Sequence, residues 1–251
     1  MTKVLRIAIL ALAIAALGGP AWAAEAASPS PLTISVNAGG DPQALPATLQ
    51  IVVVLTLLTL APALIIMVTS FTRILIVLSF TRSALGTQQI PPNMVLVGMA
   101  LFLTAFTMAP VWREVDEQAL QPYLQQEIGY EEAAEKGLRP VRAFMLRQAE
   151  ESELALFVNL GGLPRPETPD DIPTYAVVPA FMVGELKRAF IMGFMIFIPF
   201  VVIDMVVATT LMSMGMMMMP PVVISLPCKI LLFVLVNGWE LVTQSVVASF
   251  H

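Results

Sequence analysis

The sequence has few of the residues that enzyme and metal sites use. Its 251 residues include one cysteine, Cys228, and one histidine, His251. A single cysteine excludes an internal disulfide, and structural zinc sites take four cysteine or histidine ligands, so we expect neither feature. The sequence also lacks a glycine-rich phosphate loop, a serine–histidine pairing and a paired-carboxylate cleft. We therefore predict that the protein is not an enzyme and that it holds no metal and no cofactor.

Charged residues are also scarce. They make up 12% of the chain and hydrophobic residues make up 57%, whereas about a quarter of the residues in a soluble domain are charged. The net charge is −5, and no run rich in lysine or arginine provides the basic surface that a nucleic acid needs. The composition therefore predicts no nucleic-acid partner, and a chain that lies in membrane lipid or among other helices.

The N-terminal segment has the pattern of a signal peptide. Two basic residues precede an apolar stretch over 7–17, and the sequence AWA at 21–23 fits a cleavage site. The apolar stretch is too short to cross about 30 Å of hydrocarbon as a helix. We predict a signal peptide over 1–24 and a flexible periplasmic linker over 25–47.

Four apolar segments follow the linker. They cover 49–68, 94–111, 189–212 and 222–238. Each approaches the roughly 17–25 residues that a membrane-spanning helix needs, and helices are the open elements that hydrocarbon tolerates. We therefore predict an all-α membrane protein with four hydrophobic helical segments in helical hairpins.

The order of these segments predicts the domain organisation. The predicted parts are a first hydrophobic hairpin over 48–111, a helical periplasmic region over 112–188 and a second hydrophobic hairpin over 189–251 with a Met-rich turn. Four crossings from an outside N-terminus place the loop that carries Arg73 inside, in agreement with the positive-inside rule, and 112–188 outside.

The region 112–188 has helical patterns of its own. We predict helices over 114–128, over 130–136 with an end at Gly137, and over 141–160 after Pro140, a favoured first helical residue. Six apolar residues form one face of the last helix: Val141, Phe144, Met145, Leu154, Phe157 and Val158. Gly161 and Gly162 should end that helix, and the proline-rich segment 164–175 cannot continue it.

Asp204 is an acidic residue inside a strongly apolar segment. A charge at membrane depth costs roughly 2.5–3.5 kcal/mol on insertion scales, so it needs a partner or a water-lined cavity. A hairpin folded about its midpoint near 215–218 places Lys229 opposite Asp204. We predict an intramembrane charge pair between them, either as a structural pair or as part of a proton relay. Glu185 and Arg188, spaced i,i+3, can also pair on a helix surface.

The turn of the second hairpin is rich in methionine. The run contains Met214, Met216, Met217, Met218 and Met219, followed by Pro220 and Pro221. Methionine is unbranched and flexible, so it can fill a gap whose shape varies. If several copies surround one axis, these side chains form a deformable hydrophobic constriction, which can gate by dewetting.

Three long motifs resemble the FliP family of flagellar export-gate subunits. They are TSFTRILIVLSFTRSALGTQQIPPNMVLVGMALFLTAFTMAP (69–110), PAFMVGELKRAFIMGF (179–194) and PFVVIDMVVATTLMSMGMMMMPP (199–221). The resemblance covers most of 49–248 in the order of the family. At Gly184 the family more often has serine.

The resemblance implies a function and a set of partners. It implies a helical gate subunit of the flagellar type III export apparatus, in the inner membrane at the flagellar basal body. The family forms a pentameric homo-oligomer that joins FliQ and FliR, with FlhB docking on it, and unfolded export substrates pass through. The Met run, Met214 to Met219, matches the family's methionine gasket, and Asp204 and Lys229 fall where family members carry charges. Glu185, Arg188 and Arg73 are predicted separately, as further interface charges.

Other functions remain open from the sequence. The equivalent export-gate subunit of a virulence-type injectisome is the nearest alternative, although the signal peptide and N-terminal extension favour the flagellar system. A small-solute transporter would show an internal repeat around a midplane site, and none is evident. A passive scaffold would use the same helices as a gate.

Overall fold

The structure, a computed structural model, describes residues 44–87, 89–216 and 219–250. The helices are α1 (Ala44–Met67), α2 (Phe71–Ala84), α3 (Asn93–Thr107), α4 (Ala109–Leu124), α5 (Tyr130–Gln148), α6 (Glu151–Leu160), α7 (Thr174–Ser213), α8 (Val222–Leu235) and α9 (Gly238–Ala248). These ranges contain no strand, which confirms the all-α prediction. The predicted signal peptide lies outside them, as does the linker apart from 44–47, which begin α1.

The chain divides into two units, Met1–Gln50 and Ile51–His251. The first unit is described at 44–50, in the first turns of α1. The second contains the packing on which the candidate site depends.

Helices α2 and α7 form the centre of the second unit. One face of α2 is buried; its members are Ile74, Val77, Leu78 and Thr81. Their spacing is that of a single helix face. The two helices run parallel, because Arg73 contacts Glu185 and, further along both, Phe80 lies against Gly193. A Cβ at Gly193 would lie 2.5 Å from the Phe80 ring, so the crossing requires glycine.

Helix α3 returns antiparallel to α2. Ser70, just before α2, shares a hydrogen bond of 2.5 Å with Thr107 at the end of α3. At the other end, Arg82 donates to the Asn93 side chain at 2.5 Å. The first hairpin is therefore made by α2 and α3. Helix α1 precedes it, and its second half is bent from α2 by 67°.

One described helix, α7, is long and apolar enough to span a membrane alone. Three bent pairs reach that length and composition together: the end of α1 with α2 at 67°, α3 with α4 at 57°, and α8 with α9 at 64°. Helix α7 also begins at Thr174, well before the predicted Ala189. Its charged residues Glu185, Lys187 and Arg188 have partners within the fold, so they do not require an exposed loop.

The contact between Arg73 and Glu185 corrects the predicted topology. The four-crossing scheme places Arg73 in an inside loop and Glu185 in the outside region. The structure brings the two side chains into direct contact, so their assignment to opposite sides of the membrane is wrong. Hydropathy missed α2 because Arg73 lowers the local average, and the partner that neutralises it lies far away in sequence.

The polar region also differs from its predicted boundaries. Helix α4 begins before residue 114 and contains a π-helical segment, Asp116–Leu120. Helix α5 runs through Gly137 and Pro140 to Gln148, so the prediction that Gly137 ends a helix and Pro140 precedes a new one is wrong. A Cβ at Gly137 would meet Ala119 of α4 at 3.4 Å. This glycine therefore allows close packing rather than a turn.

The break in the polar region comes at Ala149 and Glu150. There the Glu153 carboxylate accepts a hydrogen bond of 2.7 Å from the Glu150 N–H and begins α6. The predicted apolar face is therefore divided between α5 and α6. Its members Phe144, Met145, Leu154 and Val158 are buried, and Val141 and Phe157 are partly buried against the core. Gly162, with φ of 59°, follows the end of α6 as predicted.

Candidate functional site

The Met-rich turn lies at the end of the hairpin formed by α7 and α8. Gly215, with φ of 76°, ends α7 in the left-handed conformation that glycine adopts readily. The Gly215 N–H donates to the Met212 carbonyl at 3.1 Å, and the Met216 N–H donates to the Leu211 carbonyl at 3.0 Å. These are the two hydrogen bonds of a Schellman motif. This local geometry lets the chain reverse toward α8.

The methionines described at the turn are exposed. Met214 is 68% exposed, Met216 37% and Met219 40%. Met217 and Met218 lie outside the described residues. The end of the hairpin therefore presents flexible, apolar thioether side chains, which can pack against neighbours of changing shape.

Asp204 and Lys229 face each other across the hairpin. The Lys229 ammonium donates to Asp204 Oδ2 at 2.6 Å. The Lys229 side chain is 9% exposed, while Asp204 is 42% exposed. Four residues away on each helix, Phe200 and Phe233 contact each other with ring centroids 6.2 Å apart. The bond and the aromatic pair hold α7 and α8 in one antiparallel register.

One oxygen of Asp204 has no partner among the described residues. Its Oδ1 atom is buried and accepts no hydrogen bond there, although the side chain as a whole is partly exposed. The same part of the chain contains no group of three or more His, Cys, Asp or Glu residues that could hold a metal ion. The hairpin therefore contains an ion pair between its two helices and a turn with exposed methionine side chains.

A second group of charges lies in the core around Arg73. Arg73 and Glu185 are both fully buried. Arg73 Nε donates to Glu185 Oε2 at 2.8 Å, and Nη2 contacts the other carboxylate oxygen. The remaining bonds of the guanidinium run to Gln148 Oε1 at 3.0 Å and to the Ser249 carbonyl and hydroxyl at 2.9 and 3.0 Å. The guanidinium carbon also lies 3.9 Å from the centroid of the Phe250 ring.

This arrangement corrects the predicted pairing of Glu185 with Arg188. Glu185 bonds to Arg73, whereas Arg188 donates to Gln148 Oε1 at 3.1 Å and lies 3.9 Å from Glu150. The i,i+3 spacing permits contact only where both side chains point along the same surface. Glu185 instead points into the core toward α2.

Sequence reasoning missed Gln148 and the C-terminal residues. Gln148 accepts from Arg73 and Arg188, and its own amide donates to the Phe250 carbonyl at 3.1 Å. An uncharged residue at the end of a helix carries no sequence signal for such a role. The Gln148 side-chain amide links α2, α5 and α7 with Phe250, which follows α9.

Charged residues near the surface extend the group of charges around Arg73. Lys187 donates to Glu150 at 2.6 Å and to Glu153 at 3.3 Å. The hydrogen bond from Lys187 holds the pKa of the Glu150 carboxyl below its ordinary value. These contacts attach the start of α6 to α7 just before the longest uncharged stretch of α7.

Comparison with known proteins identifies the family. A model of the FliP family matches residues 54–246. The flagellar biosynthetic protein FliP of Bacillus subtilis (strain 168) is 51% identical over 217 residues, which are 86% of this chain and 98% of the relative. The protein of the same name from Caulobacter vibrioides is 49% identical over 226 residues, 90% of this chain and 85% of the relative. That from Pectobacterium carotovorum is 52% identical over 204 residues, 81% of this chain and 79% of the relative. The chain belongs to the FliP family.

Proposed function

We propose that the chain is the pore-forming subunit of the flagellar type III protein export gate, and that it passes unfolded flagellar proteins across the inner membrane. The observation that carries this proposal is the exposed methionine turn of the α7–α8 hairpin in a chain that belongs to the FliP family. The curated relatives that match over most of their length are named flagellar biosynthetic proteins. This name favours the flagellar system over an injectisome or a solute transporter.

The closed state would be sealed by methionines from several copies. Met214, Met216 and Met219 are exposed in the single chain, so they are free to pack against the same residues of neighbouring copies around an axis. Such a constriction excludes ions and water because its lining is apolar. Flexible thioether chains can then part around a polypeptide whose side chains vary in size.

The proposed assembly follows the family. We infer a homo-oligomer, a pentamer by resemblance, that joins FliQ, FliR and FlhB in the flagellar basal body, with membrane lipid around it. The mature N-terminus and the region 112–188 would face the periplasm, and Arg73 would lie on that side as well because it contacts Glu185. The mostly exposed apolar surface of α7 and α8 supports burial against other copies, partner subunits or lipid, since large exposed apolar patches mark such contacts.

Deletion of the gene in its host tests the proposal. We expect hook protein and flagellin to disappear from the culture medium and to return when a plasmid supplies the whole chain. A plasmid that encodes a chain lacking 212–221 should not restore export. Normal export after deletion would refute the flagellar role and would direct attention to another secretion system.

A leak assay tests the constriction separately. Replacement of Met216, Met217, Met218 and Met219 by alanine should make cells leak ions. The matched control replaces Met195 and Met205 of α7, which are 63% and 64% exposed and lie away from the turn. An unchanged ion leak in the turn variant, or an equal leak in the control, would exclude the proposed seal.

A further inference from the structure

We infer that the end of the α7–α8 hairpin moves as one unit about a hinge formed by Pro199 in α7, by Asn237 between α8 and α9, and by Gly238 at the start of α9. The moving unit, here called the distal hairpin, comprises Phe200–Met216 and Met219–Leu235 as described. The inference rests on the proposed function, because the distal hairpin carries the methionine turn. Its movement would widen or close the constriction.

The first half of the hinge is a weak point in α7. Helix α7 continues through Pro199, but proline has no N–H to donate to the Met195 carbonyl and its ring crowds that group. A helix hydrogen bond is therefore missing at this point, as one also is at Pro179 in the braced part of α7. Kinks of long helices concentrate at such positions.

The second half of the hinge is the break between α8 and α9. Asn237 has φ of 51°, in the left-handed region, and the two helices are bent by 64°. Gly238 packs directly beneath the Phe233 ring, where any Cβ would overlap it. Two adjacent residues thus interrupt the helical hydrogen bonds and allow a change of direction.

The two weak points lie at the same level of the hairpin. Contact between Phe200 and Phe233 and the bond between Asp204 and Lys229 fix the antiparallel register. In that register Asn237 falls within about one helical turn, roughly 5.4 Å, of Pro199 along the axis. A tilt about this level bends both helices at positions where each is already weakened.

Packing along α7 also changes at this level. Eight of its buried residues lie at or before Gly193, and two, Phe200 and Leu211, lie beyond Pro199. The first part is braced by α2 through Arg73 and Glu185 and through Phe80 and Gly193. Phe200 of the second part packs on Phe233 of α8. The anchored and the movable parts of α7 therefore meet at Pro199.

The distal hairpin contains a proline of its own, Pro227 of α8, but Lys229, two residues further on, is bonded to Asp204 of α7. The bonds between the two helices therefore brace α8 at this point and let the hairpin act as one lever. The Asp204–Lys229 bond and the aromatic pair join its two helices, so both tilt together. At 1.5 Å per residue, the lever from Pro199 to Ser213 is about 21 Å long. A tilt of about 10° then moves the methionine turn by about 4 Å, which is the scale of one side chain.

Substitution of Pro199 tests the hinge in the full chain, expressed in the deletion strain. Pro199→Ala restores the missing N–H and stiffens α7, whereas Pro199→Gly restores the N–H but keeps a flexible backbone. The matched control is Pro179→Ala, in the braced part of the same helix. Assembly is measured as the amount of oligomer in the membrane, and function as the rate of flagellin export.

We expect Pro199→Ala to assemble normally and to export about fivefold more slowly, the ratio that one helix hydrogen bond of about 1 kcal/mol gives. Pro199→Gly and Pro179→Ala should export at the wild-type rate. Adding Asn237→Gly to Pro199→Ala should recover most of the loss, because it loosens the other half of the hinge.

Three results would overturn the hinge: wild-type export by Pro199→Ala, an equal loss in Pro199→Gly, or failure of Pro199→Ala to assemble. The last would show that Pro199 shapes the closed fold rather than permitting movement. Restoration of export by the wild-type chain in the same strain supports the proposed function by itself. A negative hinge result would therefore leave that function standing.

Discussion

Replacement of Arg73 by methionine removes the positive charge at the centre of the core while keeping most of its apolar volume. The change leaves the Glu185 carboxylate without its Arg73 partner at a site with no solvent exposure. It also removes the hydrogen bonds that Arg73 donates to the Ser249 carbonyl and to Gln148 Oε1. Loss of one partner of a buried pair costs about 3–5 kcal/mol.

The paired variant separates the charge from the packing. Arg73→Met combined with Glu185→Leu leaves no buried charge at either position. Replacement of a buried ion pair by apolar residues of similar volume is often neutral or stabilising. We therefore expect the double variant to recover most of the stability that either single variant loses.

Thermal unfolding of the purified protein in detergent, followed by tryptophan fluorescence, measures the effect. A loss of 3–5 kcal/mol corresponds to a midpoint lower by about 10 °C for a chain of this size. The control is Arg139→Met, since Arg139 and Glu135 form a pair in which both side chains are about two-thirds exposed and such pairs contribute less than about 1 kcal/mol. Equal losses for Arg73→Met and Arg139→Met, or a double variant as unstable as the sum of its singles, would refute the reasoning.

Three further predictions concern packing, pH and backbone conformation. Gly193→Ala should lose about 1–3 kcal/mol of stability through overlap with Phe80, and Phe80→Ala should partly rescue it in the same melting assay. Lys187→Met should raise the pKa of Glu150, whose carboxyl is held below its ordinary value by Lys187. A carboxyl whose pKa is lower in the folded than in the unfolded protein stabilises the fold at pH values above about 4.3, the ordinary pKa of glutamate. That stabilisation is lost as the pH falls through the lower pKa of the folded state. The destabilisation by Lys187→Met should therefore be present at neutral pH and shrink in melts at about pH 3; a difference independent of pH would contradict it. Asn237→Ala should cost about 1 kcal/mol because alanine disfavours the left-handed conformation, while Asn237→Gly should cost less; equal midpoints would argue against backbone strain.

The α7–α8 hairpin shows how far the sequence could lead. Apolar runs on both sides of a turn rich in methionine and proline predict a helical hairpin, and the midpoint of that turn places Lys229 opposite Asp204. The structure brings these two side chains within 2.6 Å. The register could be read because both helices are continuous with a short turn, so their separation in sequence determines their depth.

The buried charges could not be predicted in the same way. Arg73 and Glu185 are 112 residues apart and Arg73 and Ser249 are 176 apart, and no short turn relates their positions. Each side chain, taken alone, is more stable in water than in a core. A reading by local hydropathy therefore placed Arg73 in an inside loop and Glu185 in the helical region outside.

The sequence by itself determined the helical class, the end of α6 near Gly162, the apolar residues of α5 and α6, and the methionine turn. These features follow from hydrophobic periodicity and backbone preference, which act within a few residues. Tertiary structure decided that α2 is a helix parallel to α7, that α5 continues through Gly137, and that Glu185 pairs with Arg73 rather than Arg188. Each of these depends on the free energy of a contact between distant segments. A buried ion pair or a close helix crossing stabilises a conformation that the local sequence disfavours, and its partner becomes known only when the chain is folded.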